Sequence, residues 1–245
     1  MLEELILILS ILFIGSFIQG ASGFGFGLFS MGFLPLFLTL KDSTLLVLAL
    51  TVVISLTILF RFFKLINWRN ITIILIGALT GRVCSFYFLN TYGDMDWVKK
   101  ILGFILIAMV IYLLTTKEKT TSSPLYKKVP FTVFIGLIGG FIGGVFAVGG
   151  PFFTFYFLMR YKEKNEYNAN LQASFIITNG FTLTLHGING DYKASFWFYL
   201  LPSLCVILIG TKLGLRWFEH LPRTLIKKLV CIIILISGVL LLINT

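Results

Sequence analysis

Apolar residues along this chain of 245 residues fall into ten blocks separated by short polar breaks. The first half carries blocks at 5–22, 25–40, 43–61, 70–90 and 97–115. The second half carries 130–147, 149–160, 169–187, 194–215 and 225–243. The alternating polarity of a transmembrane barrel strand is absent from them. Blocks of 19 residues or more are long enough to cross a bilayer core, which needs about 20. The blocks at 25–40 and 149–160 are too short to cross alone. The pattern predicts an all-α polytopic membrane protein with interrupted helices at matching places in its two halves.

Composition agrees with that class. Hydrophobic residues make up 58% of the chain and charged residues 12%, too little charge to solvate a soluble domain of this size. The formal charge of +10 sits in short basic clusters between the apolar blocks, as membrane orientation requires. The expected partner is therefore the lipid bilayer, with no nucleic acid; a small anion is the partner that the site chemistry and the resemblance below imply, and monomer and homodimer both stay open. Cys84, Cys205 and Cys231 lie within apolar blocks without a CxxC pair, so neither disulfide, metal nor cofactor is implied. The first block ends in Ala21-Ser22-Gly23 like a signal peptide, but it opens with Glu3 and Glu4 and recurs inside the chain. It is read as part of the fold.

The recurrence is a repeat. Residues 14–25 and 138–149 match at six of twelve positions after a shift of 124: Ile14/Ile138, Gly15/Gly139, Phe17/Phe141, Ile18/Ile142, Gly20/Gly144 and Gly25/Gly149. The same shift pairs Ser55 with Asn179. The chain thus divides into a first five-segment repeat at 1–116, a charged connector at 117–129 and a second repeat at 130–245.

Lysine and arginine placement sets the parity. With ten crossings, one side receives Arg61, Lys64, Arg69, Lys117, Lys119, Lys127, Lys128, Arg160, Lys162, Lys164, Arg216, Arg223, Lys227 and Lys228. The other receives only Lys41, Lys99, Lys100 and Lys193. Counting each glycine-interrupted pair as one crossing removes the bias, so ten segments are favoured, with the connector cytoplasmic and both termini outside, in the cell membrane. Five segments per repeat invert the second copy, whether each glycine-rich pair makes two full crossings or a re-entrant hairpin. A pseudo-two-fold axis in the membrane plane, with a site near mid-membrane where the halves meet, is the expectation.

Gly20-Ala-Ser-Gly-Phe-Gly-Phe-Gly27 and Gly144-Val-Phe-Ala-Val-Gly-Gly-Pro151 resemble the paired glycine signatures of the TauE/SafE sulfite exporter family. Asn67-Trp68-Arg69, Gly77-Ala-Leu-Thr-Gly81 and Gly210-Thr-Lys-Leu-Gly214 extend the resemblance over essentially the whole chain. It implies secondary transport of small sulfur-containing anions such as sulfite or organosulfonates, usually outward. The first copy departs from the signature, continuing from Gly27 to Pro35 without Gly-Gly-Pro.

An oxyanion in a low-dielectric site needs fixed donors and positive potential, which the unpaired amides of a helix start supply. Gly20, Gly23, Gly25, Gly144, Gly149 and Gly150 are the candidates for two facing half-helix openings, while Gly15, Gly139 and Gly140 are read as helix-packing positions. Polar candidates are Gln19 and Ser22, then Thr51 and Ser55 one turn apart, then Gln172 and Asn179 on one stripe with His186. Repeat equivalence predicts Ser55 and Asn179 as partners. Arg82, deep in the fourth block, is the candidate cation of the path. His186 is expected at the interface.

All ten acidic residues fall in loops or at block ends, so no buried carboxylate is expected for proton or sodium coupling. Export of an anion needs none, since each charge leaving a negative interior gains about 2.3 kcal/mol per 100 mV. The reading is export by alternating access. Alternatives are an ion-coupled importer or channel for another small anion, or a membrane-embedded enzyme; His186 and His220 lack the clustered partners an enzyme would need.

Overall fold

The computed structural model describes residues 2–115, 129–161, 163–217 and 223–243. Those residues form ten α-helices: α1 (Leu2–Ser22), α2 (Phe26–Phe33), α3 (Leu40–Leu59), α4 (Trp68–Tyr92), α5 (Asp96–Thr115), α6 (Val129–Phe146), α7 (Gly150–Arg160), α8 (Lys164–Ile188), α9 (Ala194–Trp217) and α10 (Arg223–Ile243). No strand occurs among them. The expected connector at 117–129 lies outside the described residues apart from Val129, which opens α6.

Helix starts follow local capping chemistry. Thr39 accepts a hydrogen bond from the Asp42 amide at 3.0 Å, so α3 begins three residues before its apolar block. Asn67 accepts one from the Asn70 amide at 3.2 Å and starts α4 in the same way. The block at 25–40 yields a helix of only 8 residues, because Pro35 turns its end into a 3₁₀ turn at Leu34–Leu36. At 1.5 Å per residue α2 is about 12 Å long, against a hydrocarbon core of about 30 Å. Five helices, α1, α3, α4, α6 and α9, are long and apolar enough to cross a membrane among the described residues. Helix α8 has the length but carries a row of amides and hydroxyls that lowers its hydropathy.

Packing repeats itself between the halves. Helix α1 lies along α9 and α6 lies along α4; α3 crosses α8, and α5 pairs with α10. The α1–α9 and α4–α6 seams run through small residues. A Cβ on Gly77 or Gly136 would strike the Val133 or Ile74 backbone carbonyl, and one on Gly214 the Phe17 carbonyl. Such seams let backbones approach closely, which is how helices associate where lipid competes with apolar side chains.

Candidate functional site

Two chain breaks face each other inside the bundle. After α1 the chain turns through Gly23 (φ 85°) and Gly25 (φ 114°), left-handed values that a side chain would strain, and starts α2. After α6 it turns through Ala147, whose φ is 55°, and starts α7 at Gly150-Pro151. The breaks touch, since a Cβ on Gly27 would run into the Ala147 carbonyl oxygen.

Between them lies a cavity of about 30 Å³, room for about one or two water molecules. Gln19, Gly25, Thr51, Arg82, Gly149, Gly150 and Asn179, all anticipated from the sequence, line it. Gly27, Leu28, Ala147, Val148, Pro151, Phe153 and Phe175 complete the wall. Three lining pairs are related by the 124-residue shift: Gly25 with Gly149, Gly27 with Pro151, and Thr51 with Phe175.

Arg82 supplies the charge. It is 2% exposed, and its Nη1 donates to the Gly143 carbonyl at 2.9 Å and to Thr182 Oγ1 at 3.3 Å. Its Nη2 donates to Asn179 Oδ1 at 2.7 Å, while its Nε is buried with no partner. Ion pairs among the described residues join Asp191 to Lys41 and to His186, leaving no carboxylate on Arg82. A lone cation away from water is costly unless something neutralises it. Gln19 adds a second donor: its Oε1 accepts from the Phe26 amide at 3.3 Å, and its Nε2 is buried without a partner. Among the first-turn amides, Phe26 is spent on Gln19, Phe152 donates to the Gly149 carbonyl and Pro151 has none, which leaves those of Gly27, Leu28 and Gly150, residues that line the same space. Positive potential and unused donors therefore converge on one small volume.

The other anticipated residues sit elsewhere. Gly20 packs against Thr211 and Gly214 of α9, and Gly144 against Ser85 of α4. Ser22 turns back on the Ile18 and Phe24 carbonyls. Ser55 donates to Gln172 Oε1 at 2.8 Å, and Gln172 Nε2 donates to the Gly23 carbonyl and to Asn168 Oδ1, each at 2.8 Å.

The expected Ser55–Asn179 contact is thus replaced by Ser55–Gln172 and Asn179–Arg82. The reason is geometric. Helices α3 and α8 run antiparallel and cross near Thr51 and Phe175, so Ser55 and Asn179 lie four residues beyond the crossing in opposite directions. That separates them by about 12 Å along the axis.

His186, two residues from the end of α8, is fully buried within the protein, with Nδ1 2.6 Å from Asp191 Oδ2. Asp191 accepts from Lys41 at 2.7 Å, and Lys41 donates to Asn90 Oδ1 at 2.6 Å. The side chain of Asp191, placed in a loop by its sequence position, is only 9% exposed. Sequence reading missed Thr182 and Asn168, although each lies one turn from a named stripe residue, Asn179 and Gln172. No group of three His, Cys, Asp or Glu side chains fit to hold a metal comes together among the described residues.

A multi-pass, all-α membrane protein with a buried cationic pocket between two helix breaks is the class that this fold defines. Its family follows from comparison: the sulfite exporter TauE/SafE model matches residues 7–241, and the chain belongs to that family. A curated protein of Methanocaldococcus jannaschii named "Probable membrane transporter protein" is 31% identical over 165 residues. That match covers 60% of this chain, and the chain spans about 60% of the relative's length. No solved structure matches the chain.

Proposed function

We propose that the chain is a secondary transporter of small oxyanions, sulfite or short organosulfonates by kinship, working by alternating access at the Arg82 cavity. The observation that carries this reading is the buried, carboxylate-free guanidinium of Arg82. Arg82, Asn179 and Gln19 would hold the anion with the first amides of α2 and α7. An anion of four or more heavy atoms exceeds the present volume, so the lining must part to admit it.

Support for two inverted repeats comes from the exchange pattern of the packing. Swapping each helix for its counterpart in the other half converts the α1–α9 seam into the α6–α4 seam and returns α3–α8 and α5–α10 to themselves. Support for the proposed sidedness in the cell membrane comes from the ends. Lys41, Asn90 and Asp191 meet at one end, while Asn70 meets Arg160 and Tyr161 at the other. Ends sorted this way agree with ten alternating segments and a cytoplasmic Asn70 end.

Counterflow of labelled sulfite and methanesulfonate in proteoliposomes tests the reading. Exchange that saturates and is lost in Arg82→Gln is expected; anion flux by neither substrate, or a cation moving instead, overturns it.

A further inference from the structure

A second buried polar cluster lies one helical turn from the anion cavity. Thr182, which accepts from Arg82, precedes His186 by four residues on α8. Phe86, four residues beyond Arg82 on α4, meets the His186 ring edge-on at 4.9 Å between centroids. His186 is therefore stacked directly above the Arg82–Thr182 layer. Its Nδ1 is engaged by Asp191, and its Nε2 is buried with no partner. A carboxylate only accepts, so neutral His186 must give its proton to Asp191 from Nδ1 and keep a bare lone pair at Nε2.

The groups facing this ring are few. Lys41 approaches from α3 and Asp191 from the loop after α8, while α4 offers Phe86, with Arg82 one turn below and Asn90 holding Lys41. Asn189 donates to Asp191 at 3.0 Å, and the Tyr192 hydroxyl is spent on the Leu183 carbonyl. Asp191 is the one carboxylate paired with these cations among the described residues, and Lys41 already shares it.

We infer that His186, held by Asp191, is a proton-binding site linked to the anion site at Arg82, so that a proton and an anion occupy the protein together. The inference rests on the anion-transport reading above. A proton on His186 would make it share the single charge of Asp191 with Lys41, adding net positive charge near Arg82 in a region where charges are poorly screened. An anion against Arg82 removes that penalty, and the favour is returned, since linkage is reciprocal. One proton carried with one monovalent anion moves no net charge, so a pH gradient would drive it without a membrane potential.

The chain holds two histidines, His186 and His220, so ¹⁵N-histidine NMR of the full-length protein in nanodiscs follows His186 directly, with His186→Gln assigning its signal. Methanesulfonate stays fully ionised over the working range; sulfite is run in parallel. Added anion is expected to move the His186 midpoint up by about one pH unit, and methanesulfonate Kd to tighten roughly ten-fold from about pH 8 to about pH 5. In His186→Gln that dependence disappears. An unmoved midpoint, or the same pH dependence in the variant, overturns the proton site and leaves anion transport standing. Binding of neither anion at any pH overturns the transport reading and this inference with it.

Discussion

Arg82 gives Asn179 its shortest hydrogen bond, 2.7 Å from Nη2 to Oδ1, and by doing so fixes the guanidinium at the cavity wall with Nε unused. Asn179 thus orients a cation without neutralising it. A carboxylate there would neutralise the guanidinium; Asn179, Thr182 and the Gly143 carbonyl hold it and leave its charge open.

Arg82→Gln is accordingly expected to separate stability from function. Anion affinity should fall by at least 30-fold, about 2 kcal/mol for a lost charge-assisted contact. The melting temperature of the ligand-free protein should hold or rise, because a costly buried charge is gone. Nanodisc thermal melts beside a binding isotherm read both, and a variant that loses stability and binding in proportion would make Arg82 structural.

Gln19→Glu tests the sign of the site. Its carboxylate keeps an acceptor for the Phe26 amide but adds a negative charge at the cavity. Anion counterflow should drop by roughly two orders of magnitude, since a like charge is expensive in a poorly solvated site. Retained anion exchange would move the site away from Gln19.

Ser55→Ala and Asn179→Ala should diverge. Ser55 serves Gln172 outside the cavity, so its loss costs about 1 kcal/mol of stability with counterflow kept. Asn179→Ala frees the Arg82 guanidinium and should cut counterflow at least ten-fold. Equal flux losses in the two variants would mean that the Gln172 layer belongs to the binding site.

Asp191 predicts an acid limit. Burial pushes its carboxyl up, but hydrogen bonds from Lys41, His186 and Asn189 outweigh it and hold the group below the usual carboxylate range. A carboxyl depressed on folding stabilises fully above its unfolded value, about 3.9, and less as pH falls through the folded one. Melting temperature should therefore show no Asp191 contribution to change between about pH 7 and pH 5, then fall below about pH 4. Asp191→Asn should lower it by a few degrees at neutral pH and flatten that acid drop.

The sequence made the helix count and the two breaks legible, because Gly25 and Gly149 interrupt apolar runs at a fixed spacing. It also exposed Arg82 as a cation inside such a run. Contacts across the bundle were another matter. Ser55 and Asn179 are equivalent under the shift, yet equivalence is contact only at the crossing of antiparallel helices, where Thr51 and Phe175 stand. The Lys41–Asp191 pair spans 150 positions, and no local pattern joins its members. A carboxylate in a loop reads as solvated until the fold lays it over His186.

Gly27 lies against the Ala147 carbonyl, so the two chain breaks are seated in one another like gear teeth. Neither half-helix can swing without pushing its counterpart. Under the alternating-access reading, a covalent lock between residues 27 and 147 is therefore expected to hold both breaks in place and stop transport.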